Sequence, residues 1–156
     1  MAKVLIIYHS QTGNTKKMAA LIESGVKMEN VEATLKDVAK TEVKELLGYD
    51  GIIIGSPTYY GSMAAEIKKL LDETVHFHGR LEGKVGAAFS SSANIGGGNE
   101  TTVTGILKAM LIHGMIIQGN SEGDHYGPVS IGTPNKRVEN QCKTLGQRVA
   151  KLVKRL

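Results

Sequence analysis

Two kinds of hydrophobic spacing alternate along this chain. Short, unbroken apolar runs predict strands at residues 3–8, 31–37, 50–55, 84–90 and 114–118. Val4 to Tyr8, Ile52-Ile53-Ile54 and Met115-Ile116-Ile117 are too uniformly apolar for half-exposed strands and suit strands covered on both faces. Between them the spacing lengthens to that of helices, near 14–28, 41–47, 63–73, 100–113 and 136–155; in the first, Met18, Ala19, Leu21, Ile22 and Val26 mark one face. Strict alternation of this kind implies an α/β fold, a parallel sheet with helices on both faces. No repeat, low-complexity tract or linker interrupts the chain, so residues 1–156 read as a single domain.

Three segments break the hydrophobic pattern, and each follows a strand and precedes a helix. They are Ser10-Gln11-Thr12-Gly13-Asn14-Thr15, then Ser56-Pro57-Thr58-Tyr59-Tyr60-Gly61, then Ser90-Ser91-Ser92-Ala93-Asn94-Ile95-Gly96-Gly97-Gly98-Asn99. In a parallel sheet all three lie at the carboxyl edge, where open α/β folds bind ligands. The first can aim hydroxyls and backbone N–H groups at one point near a helix N-terminus, which suits a phosphate. It lacks the Lys of a P-loop and the three glycines of a dinucleotide fingerprint. In the second, Pro57 restricts the backbone, Thr58 offers a hydroxyl, and Tyr59 and Tyr60 can stack on a flat heteroaromatic ring. In the third, Gly96, Gly97 and Gly98 let main-chain N–H groups approach a planar ligand. Taken singly, each has a plainer explanation: a capped helix, rings covering the sheet edge, a flexible loop. Together they describe a slot for a phosphorylated ligand with a flat polar ring.

Composition narrows the classes. Apolar residues make up 41% and charged residues 22%, ordinary for a globular chain, and no apolar run reaches membrane-span length. Met1-Ala2-Lys3 leads straight into the first strand, leaving no room for a signal peptide, and the single Cys142 excludes an internal disulfide; the expectation is a cytoplasmic protein with an inert thiol. Net charge is +4, concentrated in 136–155, where seven cations face the single acid Glu139. That stretch reads as the solvated face of a terminal helix, with docking of an acidic partner as the alternative. No aromatic residue interleaves it, so nucleic acid is not an expected partner. His76 and His78 find no ligand set for a metal, and no Gly-x-Ser-x-Gly elbow is present.

Ser10-Gln11-Thr12-Gly13-Asn14-Thr15 resembles the phosphate loop of the flavodoxins, Ser/Thr-x-Thr-Gly-x-Thr. Most of the chain to about residue 130 is similar to the WrbA-type NAD(P)H:quinone oxidoreductases, through Met1 to Leu5, Ser56 to Gly61, Gly96-Gly97-Gly98-Asn99-Glu100-Thr101 and His113-Gly114-Met115. The long insertions of that family after its second and fifth strands are absent, and the Trp and the acidic surface usual in flavodoxins are missing too. The resemblance implies a flavodoxin-like three-layer sandwich with a five-stranded parallel sheet of order 2-1-3-4-5, binding FMN. It places Ser10, Gln11, Thr12, Gly13, Asn14 and Thr15 on the phosphate, and Pro57, Thr58, Tyr59, Tyr60 and Gly61 on one side of the isoalloxazine. Ser90, Ser91, Ser92, Asn94 and Gly96 to Gly98 fall on the other side. His113 is expected at the pyrimidine end, a neighbouring subunit being one source of that contact. NAD(P)H is the expected donor and a quinone-like small molecule the acceptor. The alternative is a one-electron carrier serving a redox partner protein; a non-redox module on the same fold is the third reading. A homodimer fits the enzyme, a monomer the carrier.

Overall fold

The computed structural model describes residues 1–156. In chain order the elements are β1 (Lys3–Tyr8), α1 (Asn14–Met28), β2 (Glu32–Asp37), β3 (Gly51–Tyr59), β4 (Ser62–Met63), α2 (Ala65–Glu73), β5 (Val85–Ser92), α3 (Asn99–Ile112), β6 (Ile116–Ile117), β7 (Val129–Ile131) and α4 (Lys136–Val153). The sheet runs β2-β1-β3-β5-β6 with all these neighbours parallel; β4 folds back antiparallel on β3, and β7 pairs in parallel with β5.

The sheet therefore has seven strands, not the expected five. The predicted strand at 114–118 contributes only Ile116 and Ile117, which pair with Val85 and Gly86 at the start of β5. The chain then leaves the sheet and returns as Val129–Ile131 beside Ser90–Ser92 at the other end of the same strand. The excursion is held by the Asp124 carboxylate, which accepts from the Val129 N–H at 3.0 Å and pairs with Arg137. Gly127 enters the sheet edge where any Cβ would lie 2.0 Å from the Ala88 carbonyl oxygen. The pattern at 41–47 forms 3-10 turns at Val38–Lys40 and Val43–Gly48 and no α-helix.

Period-two alternation divides the core. Val4, Ile6 and Tyr8 of β1 join Ile53 and Phe89 beneath α1 and α4, while Leu5 and Ile7 join Ile52, Ile54 and Ala88 beneath α2 and α3. Each buried Ile or Leu contributes about 1.5–3 kcal/mol. α1 and α4 cross in close backbone contact. A Cβ on Gly25 would lie 2.2 Å from the Lys143 carbonyl oxygen, and one on Gly146 would lie 2.2 Å from that of Ile22. Gly55 leaves space for the Phe89 ring in the same way. Cys142 is fully buried in this layer, and burial, reinforced by the Asp124 charge, pushes its thiol up to about 12; it is inert at neutral pH. No helix is long and apolar enough to cross a membrane.

Candidate functional site

At the carboxyl edge β1 ends and the chain turns through Ser10–Gly13 into α1. Gly13 takes φ 100°, and its N–H donates to Ser10 Oγ at 3.1 Å, which folds the loop over the helix N-terminus. A φ in this range strains any residue with a side chain. No acidic residue occupies the first turn of α1, so the helix itself places no carboxylate at the positive end of its dipole. Thr15 is buried, and its hydroxyl shares a 2.9 Å hydrogen bond with Ser91 Oγ, joining the first loop to β5.

β3 and β5 run further than their apolar runs suggest. Both continue through the polar segments, so Pro57, Thr58 and Tyr59, and equally Ser91 and Ser92, are strand residues and not loop residues. Backbone pairing of Thr58 and Tyr59 with β4, and of Ser90 to Ser92 with β7, carries the strands on, and the hydroxyls link across them: Thr58 Oγ1 and Ser90 Oγ lie 3.0 Å apart, and Thr102 Oγ1 stands 3.1 Å from Thr58 Oγ1. Tyr60 and Gly61 form the two-residue turn between β3 and β4, with φ 48° and 79°. Both central residues of such a turn need positive φ, which Gly61 meets freely and Tyr60 only with strain. The result is a fully exposed Tyr60 ring at the rim. Tyr59 leans over the first loop: its hydroxyl donates to Gln11 Oε1 at 3.1 Å, and its ring meets His9 edge-on at 6.3 Å. Burial, and then the charge of Glu66, raise the Tyr59 phenol above its ordinary value, so it stays a neutral donor.

The third loop closes against the second. Thr101 Oγ1 donates to the Gly61 carbonyl at 2.8 Å, and a Cβ on Gly98 would lie 2.7 Å from Gly61 Cα. The Asn99 amide donates to Ser92 Oγ at 3.0 Å, while Asn94, Gly96 and Gly97 arch into solvent. A cavity of about 500 Å³ lies between these walls, lined by Ser10, Gln11, Thr12, Asn14 and Thr15, by Pro57, Thr58 and Tyr59, and by Ser91, Ser92, Ala93 and Gly132. None of these side chains is charged at neutral pH. Donors of neutral hydroxyl, amide and backbone type, set at a helix N-terminus, suit an oxyanion at one end; Tyr59, Ser92 and Ala93 bound the other.

Gly61 and Gly96 to Gly98 stand at the mouth and not in the lining. His113 is not brought to this cavity. It caps α3 at the amino edge, where the adjacent Gly114 carbonyl accepts from the Gly83 N–H just before β5. The Thr74 hydroxyl donates to the Leu71 carbonyl at 2.5 Å and so accepts from His113 Nε2 at 2.7 Å; this network assigns the ring proton to Nε2. His113 Nδ1 is left buried without a partner, and burial, with His78 at 5.7 Å, holds the imidazole below its ordinary pKa.

Sequence reasoning missed the fourth wall. Gly132 lines the cavity, and Thr133 Oγ1 donates to Asn14 Oδ1 at 3.3 Å. The signal was available: Val129-Ser130-Ile131 followed by Gly132-Thr133-Pro134-Asn135 is again a short strand, a polar turn and a helix cap, with the Asn135 side chain accepting from the Val138 N–H.

Fold and cavity together define an open α/β protein with a polar cavity at the carboxyl edge of its sheet. A family model described as Flavodoxin domain matches residues 5–102, and the chain belongs to that family. It is 38% identical to a flavodoxin of Aquifex aeolicus, over 98% of this chain and 88% of that one. It is also 36% identical to an NAD(P)H dehydrogenase (quinone) of Archaeoglobus fulgidus, over the whole of both; that alignment runs to 190 positions, so the relative carries residues this chain of 156 lacks. A WrbA-like flavodoxin structure from Agrobacterium tumefaciens superimposes with a TM-score of 0.84 at 25% identity, covering 99% of each chain.

Proposed function

We propose that the chain binds FMN in the carboxyl-edge cavity and uses it to pass electrons from NAD(P)H to quinone-like acceptors. The observation that carries FMN binding is the union in one cavity of the Ser10–Thr15 loop, at a helix N-terminus with no acidic residue in its first turn, with the Tyr59 and Ser92 walls. Ser10, Thr12, Asn14, Thr15 and the backbone N–H groups of the first turn of α1 would hold the phosphate. Tyr59 would lie against one face of the ring and the Ala93–Gly98 segment against its edge. FMN supplies the capacity to accept and release electrons; the protein holds and orients it and limits access of water. Tyr59, neutral and already donating to Gln11, can keep Gln11 aligned beside the phosphate while its ring shields the flavin. The reductase reading is supported by the link from Thr101 to Gly61, which ties together the two segments that resemble the WrbA-type enzymes.

The exposure of Tyr60 and of Ile95 at the mouth supports a second reading, an electron carrier whose flavin edge meets a partner protein. Anaerobic mixing of the FMN-loaded protein with NADH and with NADPH separates the two. Rapid bleaching of the visible flavin absorption by either supports the reductase. No bleaching by either, with full bleaching by dithionite, supports the carrier. Failure of the protein to retain FMN at all refutes both. Assembly follows the same division: the reductase is expected as a dimer that covers the flavin face, the carrier as a monomer, and light scattering across a dilution series distinguishes them.

A further inference from the structure

We infer that the groove between the carboxyl-terminal half of α4 and the end of β6 is a second anion site, which takes a tetrahedral oxyanion as free phosphate or as a phosphate ester. The groove has a volume of about 240 Å³; beside the apolar Leu152, its lining is Gln118, Thr144, Gln147, Arg148, Lys151 and Arg155. Arg148 is half-buried, yet its guanidinium has no ion pair and no hydrogen bond within the chain. Several other part-buried charges are matched, Lys143 and Glu73 being exceptions. Asp124 pairs with Arg137, Glu29 lies 3.6 Å from both Lys151 and Lys154, and the Lys84 ammonium donates to the carbonyls of Leu47 and Tyr49. A part-buried cation without a partner loses hydration, and a counter-charge bound in its groove would offset that loss. The helix dipole does not offset it, because Arg148 lies more than a turn before Val153 and the dipole acts within the last turn.

The donor set selects the ligand. Lys151 is shared with Glu29, and the Gln147 amide donates to Glu29 Oε1 at 3.2 Å. That leaves the fork of Arg148, the charge of Arg155, the Thr144 hydroxyl and the Gln118 amide. A planar fork beside neutral donors matches the oxygens of a phosphate. The volume admits a phosphate and part of what it is attached to, and is too small for a protein segment. α4 starts at the carboxyl edge and runs to the amino edge, so this groove is remote from Ser10–Thr15, and its occupancy is independent of FMN.

The test is an NMR titration of the isotopically labelled protein with inorganic phosphate and, in parallel, with ADP. Signals of Gln118, Thr144 and Gln147 are read apart from those of Ser10–Thr15, so failure of the FMN reading leaves the result intact. Saturable shifts at the groove are expected, with Kd raised about tenfold or more in Arg148→Met and less in Arg148→Lys. With the carboxyl-edge cavity filled by FMN, phosphate is also expected to raise Tm in the parent protein and not in Arg148→Met. A stronger response to ADP assigns the ester as ligand; an equal one assigns free phosphate. Non-saturable groove shifts, or the same affinity in Arg148→Met, overturn the proposal. So does a Glu-rich peptide that shifts these signals where phosphate does not, since that outcome assigns the face to an acidic protein.

Discussion

Both edges of the sheet carry buried polar side chains, and the two have opposite characters. At the carboxyl edge, Thr15, Thr58, Ser90 and Ser91 bond to one another in pairs, and those bonds open onto a cavity. At the amino edge, His113 is sealed against Thr74, with one ring nitrogen engaged and the other bare. Hydroxyl pairs next to solvent can exchange partners for a ligand at little cost, because a donor that rotates is never left unmet. A buried imidazole has no such freedom, and removing its single partner leaves it unmatched. Binding capacity therefore follows from access and from replaceable partners, not from the number of polar groups.

The largest expected effect tests the carboxyl edge. FMN should bind far more tightly than riboflavin, since the first loop offers several charge-assisted hydrogen bonds of about 1.5–3 kcal/mol each. Fluorescence titration of both flavins checks it, and comparable affinities would break the comparison at its functional end. Within that loop, Thr12→Val should weaken FMN by about 1.5–3 kcal/mol and leave riboflavin nearly unchanged.

At the amino edge, Thr74→Val should cost about 1–3 kcal/mol in urea unfolding, with flavin affinity unaltered, because it strands His113 Nε2. A parallel fall in flavin affinity would show that the two edges are coupled. The same histidine sets a pH dependence. Its folded pKa lies below the ordinary 6.5, so as pH falls below about 6.5 the unfolded chain takes up the proton first. Stability should be full above that pH, decline as pH drops towards the lower folded value, and level off beneath it. Comparing the slope with His113→Gln isolates this contribution; identical slopes would remove His113 as its source.

The smallest effect concerns the rings. Tyr59→Ala should lower FMN affinity by about 0.5–1.5 kcal/mol and alter the flavin spectrum, with Tyr60→Ala smaller. Tyr60 gives a second readout. Its φ of 48° strains the turn, so Tyr60→Gly should stabilise the fold while Tyr60→Ala should not. Equal stability of the two variants would mean that the turn holds no strain.

Local order in the chain was sufficient for much of this. Val4–Tyr8 suits a doubly covered strand, the spacing from Met18 to Val26 suits one helix face, and the polar turn between them then falls at a helix N-terminus. Those features depend on neighbours a few residues apart, and so did the strand–turn–helix logic that gathered three loops at one edge. Tertiary structure decided what depends on distant pairing. Whether a short apolar run continues as a strand is set by what lies beside it: Thr58 and Tyr59 extend β3 by pairing with β4, and Ser90 to Ser92 of β5 pair with β7, which returns from far along the chain. The placement of His113 within its own chain was settled the same way. Its triplet with Gly114 and Met115 reads as a site motif, yet α3 is long enough to carry it to the opposite edge, onto the Thr74 hydroxyl. Sequence specifies which groups are present and which local conformations they prefer; packing of one sheet between two helix layers determines which of them meet a ligand.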